Sequence, residues 1–218
     1  MTKIVVGADE AGRGLIIGPM TIGACAIDDK IESIFWEVGI KDSKKYTTIK
    51  KIDAHVNVIK KQALAFSVIT LQSDILNNFN KNGMSMDEAE AYAFFKALEE
   101  ITQKVDNISE YQVDNFQAVN KLKSLMKSDD ATKKINLITS PRAESKYISV
   151  GAASLLARQK ATQELDKIRE KFGDFGSGST NDKKTIRWLT EYYDKNRSWP
   201  TKIVRTYWKT IANIEKKF

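Results

Sequence analysis

Apolar and polar residues follow two rhythms along this chain, and the switch between them marks out the elements. Ile4 to Val6 and Met20 to Ile27 are compact apolar runs that predict strands, the first ending at a glycine loop. Ile49, Ile52, Val56, Ile59 and Ala63 then recur at helical spacing, with Thr47 or Thr48 placed to cap the helix. β-Branched residues return in Leu64 to Leu71 (LAFSVITL), a third strand. Ser85 and Glu88 form a capping-box pattern ahead of a helix that buries Phe94, Ala97, Ile101 and Val105. Tyr111 to Phe116 (YQVDNF) and Ile135 to Thr139 (INLIT) predict two more short strands, the second ended by Ser140-Pro141. Beyond them the pattern predicts a long helix from about Lys146 to Lys171 and a flexible segment, GDFGSGS, at 173–179. Two helices follow, at about 183–195 and 203–217, separated by Trp199-Pro200. Early strands succeeded by alternating strands and helices predict an α/β protein with a mixed sheet flanked by helices. Residues 1–172 form the main domain in this reading, and 173–218 a C-terminal helical extension packed on it.

The 218 residues are enough for one such domain with a real core. The formal net charge of +7 favours polyanionic partners and leaves the fold open. A lone cysteine, Cys25, rules out an internal disulfide and suits a reducing compartment; within MTIGACAI it reads as a packed core thiol. The opening MTKIVVGADE has no secretory pattern, and no apolar run is long enough to span a bilayer. The expectation is a soluble, cytoplasmic monomer without membrane contact.

Chemistry concentrates at Val6 to Gly14 (VGADEAGRG). Gly7 and Gly12 have the spacing of a phosphate-binding loop, but Arg13-Gly14 replaces the Lys-Ser/Thr that should follow. Asp9 and Glu10 would also meet a triphosphate with like charge. A dinucleotide fingerprint fails because no third glycine falls on register. A plain turn remains open, with Asp9 accepting from a backbone amide and Glu10 in solvent. The other reading places divalent cations between the acids and a phosphate, since hard cations share carboxylate and phosphate oxygens. The glycines then admit a nucleic-acid backbone, and Arg13 adds a positive contact. Further acids are needed: Asp114, near the end of an apolar strand, and Glu144, ahead of the long helix, are candidates. Each also has an ordinary structural role, as a loop hydrogen-bond acceptor and as a helix-start acid. The only histidine, His55, falls in a lysine-rich helix and reads as a surface residue, so acid–metal chemistry is the better catalytic option.

With these residues in view, the chain resembles ribonuclease HII, the type 2 ribonuclease H family, and its archaeal members in particular. The matching segments are GADEAGRG at 7–14, GPM at 18–20, KDSKK at 41–45, QVDNF around Asp114, RAESKYISVGAASLLAR at 142–158 and VRTYWKT at 204–210. The resemblance implies a ribonuclease H-like mixed sheet and four metal-binding acids at Asp9, Glu10, Asp114 and Glu144. It implies two divalent ions, Mg²⁺ or Mn²⁺, serving in-line cleavage of RNA in RNA–DNA hybrids and of ribonucleotides embedded in duplex DNA, leaving 5′-phosphate and 3′-hydroxyl ends. It further implies that the Gly12-Arg13-Gly14 backbone reads the ribose 2′-hydroxyl and that Ser43 and Lys44 contact phosphate. The ribonuclease HIII branch is disfavoured, because it carries an additional N-terminal domain and here the first strand begins at residue 4.

Three positions depart from the family pattern. Glu144 stands where aspartate is usual, reaching further by one carbon–carbon bond, about 1.5 Å. Ser179 replaces the tyrosine expected to stack near the RNA–DNA junction, and Ala161-Thr162 replaces an Arg-Asp pair. The alternative function is a hybrid-binding protein whose catalysis is weak or lost through Glu144.

Overall fold

The computed structural model describes residues 2–40 and 49–218. Chain order is β1 (Ile4–Ala11), β2 (Met20–Asp28), α1 (Asp29–Glu37), α2 (Ile49–Gln62), β3 (Ala65–Leu71), α3 (Ser73–Lys81), α4 (Met86–Thr102), β4 (Ile108–Asp114), α5 (Val119–Ser128), β5 (Asn136–Ser140), α6 (Ala143–Lys146), α7 (Ile148–Phe172), α8 (Lys183–Asn196) and α9 (Lys209–Glu215). The strands form one sheet in the order β3-β2-β1-β4-β5. β1 runs antiparallel to β2, as does β2 to β3, whereas β1–β4 and β4–β5 are parallel. The sheet is therefore mixed and helix-flanked, as expected.

Strand alternation divides the core between the two faces. Val6 and Ala8 pack with Phe94, Ala97, Leu98 and Ile101 of α4. Val5 and Ile27 pack on the other face with Ile52 and Val56 of α2 and Ala152 and Leu156 of α7. Helix α7 comes so near β1 that a Cβ on Gly7 would lie 2.2 Å from the backbone of Ser149 and Val150. Glycine is what lets the two backbones touch. Cys25 is buried among these residues, and burial pushes its thiol up to about 12.

The capping box is present: Ser85 N–H donates to Glu88 Oε2 at 2.8 Å and Ser85 Oγ accepts from Glu88 N at 3.2 Å. The Thr47 or Thr48 cap falls outside the described residues. His55 is half-buried, with its ring nitrogens 2.7 Å from Lys51 O and 3.2 Å from Val38 O, so it ties α2 to the end of α1.

The long helix forms close to where the pattern put it, as α7 over Ile148–Phe172, with the extended Tyr147 separating it from the single turn α6. Two expectations fail in instructive ways. The GDFGSGS segment is anchored, with Phe175 fully buried, Gly178 N donating to Thr185 Oγ1 and Gly178 O accepting from Ile16 N at 2.8 Å. The helix expected over 203–217 is confined to Lys209–Glu215. Ile203, Val204 and Arg205 instead lie along residues 16–18: Gly18 N donates to Ile203 O and Arg205 N to Ile16 O, both in extended contact. Those tertiary partners outweigh local helical spacing. Ile16, Ile17 and Ile168 join Phe175, Leu189, Val204, Ile211 and Ile214 in a third core that holds the C-terminal part against the sheet domain.

Candidate active site

Parallel pairing sets Ala8 of β1 beside Val113 of β4, so the residues that follow, Asp9 and Asp114, arrive at the same end of the sheet. Asp114 pairs in turn with Ser140 of β5. Two residues on, Arg142 adopts φ 55°, a left-handed conformation that turns the chain into α6 and places Glu144 in its first turn. Open α/β sheets place their sites at such carboxyl ends of parallel strands. All four acids line one cavity of about 410 Å³, together with Ala11, Ser154 and Arg158.

The acids stand as two pairs. Asp9 is 8% exposed, and burial followed by the charge of Glu10 pushes its carboxyl well above the usual range, against the pull of a hydrogen bond from Ser154. Burial likewise raises Asp114, helped by its contact with Glu144 and opposed by N–H donors from Asn115 at 2.6 Å and Arg142 at 3.1 Å. Among the described residues no three such side chains are drawn together to hold one ion as they stand. The donor set nevertheless fits hard cations: four carboxylates and no soft ligand around one cavity, with carboxyls whose crowding a divalent cation would relieve.

The glycine loop lies directly beyond Ala11. Gly12 has φ 80°, and a Cβ there would lie 2.5 Å from Pro19 O. The Arg13 side chain is not extended toward the cavity as a phosphate contact. Its Nε donates to Glu90 Oε2 at 2.9 Å and its Nη2 to Asp87 Oδ1 at 2.6 Å, which turns the guanidinium onto α4. Glu90 is 1% exposed, and burial pushes its carboxyl up to about 7 despite the Arg13 partner. Ser179 is brought beside the loop, bridging Leu15 in antiparallel fashion, and does not line the acid cavity. Ser43 and Lys44 lie outside the described residues.

The sequence profile of the family described as Ribonuclease HII matches residues 6–211. The chain belongs to the ribonuclease HII family. The ribonuclease HII of Pyrococcus abyssi is 36% identical over 217 residues, covering 98% of this chain and 92% of that protein. The Pyrococcus horikoshii ribonuclease HII is 33% identical over 216 residues, covering 98% and 94%. The crystal structure of ribonuclease H2 from Pyrococcus horikoshii OT3 superposes with TM-score 0.86 at 32% identity over 98% of each chain. Ribonuclease HII from Archaeoglobus fulgidus, solved as a complex with PCNA, gives 0.81 at 26% identity over 98% of each chain. A ribonuclease HIII bound to Mn²⁺ shares the fold, with TM-score 0.85 at 19% identity over 99% of this chain and 71% of that one. Ribonuclease HII enzymes are endonucleases that cleave RNA in RNA–DNA hybrids and ribonucleotides in DNA, with a general dependence on metal. No helix among the described residues is long and apolar enough to cross a membrane.

Two cavity residues escaped the sequence reading, Ser154 and Arg158. They are four apart on α7, so they share a helix face, and both fall within the 142–158 segment. A serine and an arginine within a helical segment are not diagnostic on their own, and the sequence does not show that the close approach at Gly7 brings α7 onto β1.

Proposed function

We propose that Asp9, Glu10, Asp114 and Glu144 are the catalytic and metal-holding residues of this ribonuclease HII family member, and that two ions, Mg²⁺ or Mn²⁺, lie among them. The observation that carries this reading is the single cavity that the four acids line, drawn from β1, β4 and α6. When bound, such ions supply Lewis-acid activation of the attacking water and charge stabilisation of the leaving 3′ oxygen. The chain's own part is positional. Ser154 orients the Asp9 carboxyl by donating to it, and the Asn115 and Arg142 amides fix one oxygen of Asp114. Glu144 is held 6% exposed at the cavity wall by its place in α6.

Water attacks the phosphorus in line, the bond to the 3′ oxygen breaks, and the products carry 5′-phosphate and 3′-hydroxyl ends. The Gly12, Arg13 and Gly14 backbone contacts the ribose 2′-hydroxyl, the group that separates RNA from DNA. Ser43 and Lys44 contact phosphate, and Ser179, beside Leu15, flanks the loop without the stacking surface of a tyrosine. Residues 173–218 act as an extension packed on 1–172. The protein works as a cytoplasmic monomer on RNA–DNA hybrid and ribonucleotide-containing duplex DNA, its net charge of +7 adding salt-sensitive attraction. The test is cleavage of labelled duplexes bearing one or several ribonucleotides, in Mg²⁺ and separately in Mn²⁺. Folded protein that cuts in neither ion would overturn the catalytic reading and leave hybrid binding alone.

A further inference from the structure

Arg205 is fully buried in the C-terminal extension, and its guanidinium reaches back 193 residues to the Gly12 loop. Its Nη2 donates to Gly12 O at 2.6 Å and its Nη1 to Arg13 O at 2.7 Å. Nε and Nη2 both donate to Gly18 O, at 3.2 and 3.1 Å. The ring of Trp208 lies 5.7 Å from the guanidinium carbon. A buried charge is costly unless its donors are satisfied, and here backbone carbonyls of one loop satisfy them in place of a carboxylate.

The consequence follows from peptide geometry. In a planar trans peptide the carbonyl of one residue and the N–H of the next point in opposite directions. Fixing the Gly12 and Arg13 carbonyls on Arg205 therefore turns the Arg13 and Gly14 N–H groups away from it. Among the described residues neither N–H donates to a backbone acceptor in a turn or loop, and Gly14 is exposed. The loop continues directly from Ala11, which lines the acid cavity. Glu90 and Asp87 grip only the Arg13 side chain, so they anchor the loop without setting its peptide planes.

We propose that Arg205 is a positioning residue for ribose recognition, holding two loop carbonyls so that the Arg13 and Gly14 N–H groups stand as a paired donor site for the 2′-hydroxyl. The inference rests on the reading of the Gly12, Arg13 and Gly14 backbone given above and adds the residue that sets it. The planar fork spreads its donors over Nε, Nη1 and Nη2 to meet three separated carbonyls; a lysine ammonium keeps the charge but gathers its donors at one atom and loses that geometry.

The experiment compares binding of two fluorescent duplexes of one sequence, all-DNA and with a single ribonucleotide, by anisotropy. Ca²⁺ replaces the catalytic ion, and gels check that the duplex stays intact. Arg205→Lys and Arg205→Met are expected to lower the preference for the ribonucleotide duplex about tenfold, the worth of one aligned hydrogen bond, while all-DNA affinity holds. An unchanged preference, or a parallel loss of both affinities, overturns the proposal. If the wild type itself shows no preference, the underlying reading of the loop fails first, a distinguishable result. Should neither variant fold, the wild type decides: its Arg205 Nε–H resonance must shift with the ribonucleotide duplex and stay put with all-DNA, and equal behaviour overturns the proposal.

Discussion

The Arg142 N–H donates to Asp114 Oδ1 at 3.1 Å, which fastens the turn bearing Glu144 to the end of β4. Asp114 is thereby more than a strand-end acid. It also sets where the left-handed Arg142 begins α6, and so how far the Glu144 side chain must reach. With the backbone tied down, the longer side chain projects deeper into the cavity than aspartate would, by about one carbon–carbon bond.

Shortening that side chain separates the two functional readings. If the protein is an active nuclease, Glu144→Asp changes cleavage less than about tenfold and shifts the ratio of Mg²⁺-supported to Mn²⁺-supported rates, because paired ions are sensitive to ligand reach. If catalysis has been lost and hybrid binding retained, the same substitution raises cleavage from background to robust turnover. Initial rates on a duplex with one ribonucleotide, measured in each ion, tell these apart.

Asp9 is the acid whose environment is hardest on its charge, buried on α7's side of the sheet and next to Glu10. Asp9→Asn keeps the shape and removes the charge needed to hold a cation. Cleavage should fall by about 10²–10³-fold or more, in line with removal of a principal electrostatic group, with duplex affinity within severalfold of wild type. Rates and anisotropy on the same substrate check both halves; a variant that still cuts at the wild-type rate removes Asp9 from the site.

How much of this was legible in the sequence varies with the range of the interaction. The Ser85 capping box, the strand of β2 and the acid ending β4 depend on neighbours within a few residues, and they appear where the pattern put them. The glycine loop showed its acids for the same reason. The break between α6 and α7, the anchoring of GDFGSGS and the bridge of Val204 to Ile17 depend on partners more than 100 residues away or on a single left-handed residue. Arg13 shows the same limit: its sequence neighbours suggested a phosphate contact, while Glu90, 77 residues on, claims the guanidinium. Helices α1, α3 and α5 went unforeseen. α3 is rich in asparagine, which favours caps and turns over helix interiors.

Glu90 gives the protein a pH-dependent stability. Burial raises its carboxyl to about 7 in the folded state, above its unfolded value, so its stabilising contribution is complete below about pH 4 and is lost as pH rises through 7. Ionising it in place costs on the order of 3 kcal/mol by pH 8. Glu90→Gln should accordingly gain melting temperature relative to wild type as pH moves from 5 to 8. Thermal melts across that window check the sign. A difference that shrinks toward pH 8 would mean that the ion pair with Arg13 outweighs burial.

The close approach of α7 to β1 ties stability to the site and can be tested at one atom. A Cβ on Gly7 would lie 2.2 Å from the Ser149 carbonyl carbon and the Val150 nitrogen, both backbone, so no side chain can rotate out of its way. Gly7→Ala must push α7 off the sheet or bend β1. Overpacking of this kind costs about 1–3 kcal/mol or more, and each kcal/mol lowers the melting temperature of a chain this long by about 2–4 °C. Ser154 and Arg158 ride on the same helix and line the acid cavity, so the displacement carries them away from Asp9. The variant should melt several degrees lower and, at temperatures where it stays folded, cut more slowly with little change in duplex affinity. Unchanged melting would mean that the contact relaxes at no cost; lowered melting with unchanged rate would detach the Ser154 contact from catalysis.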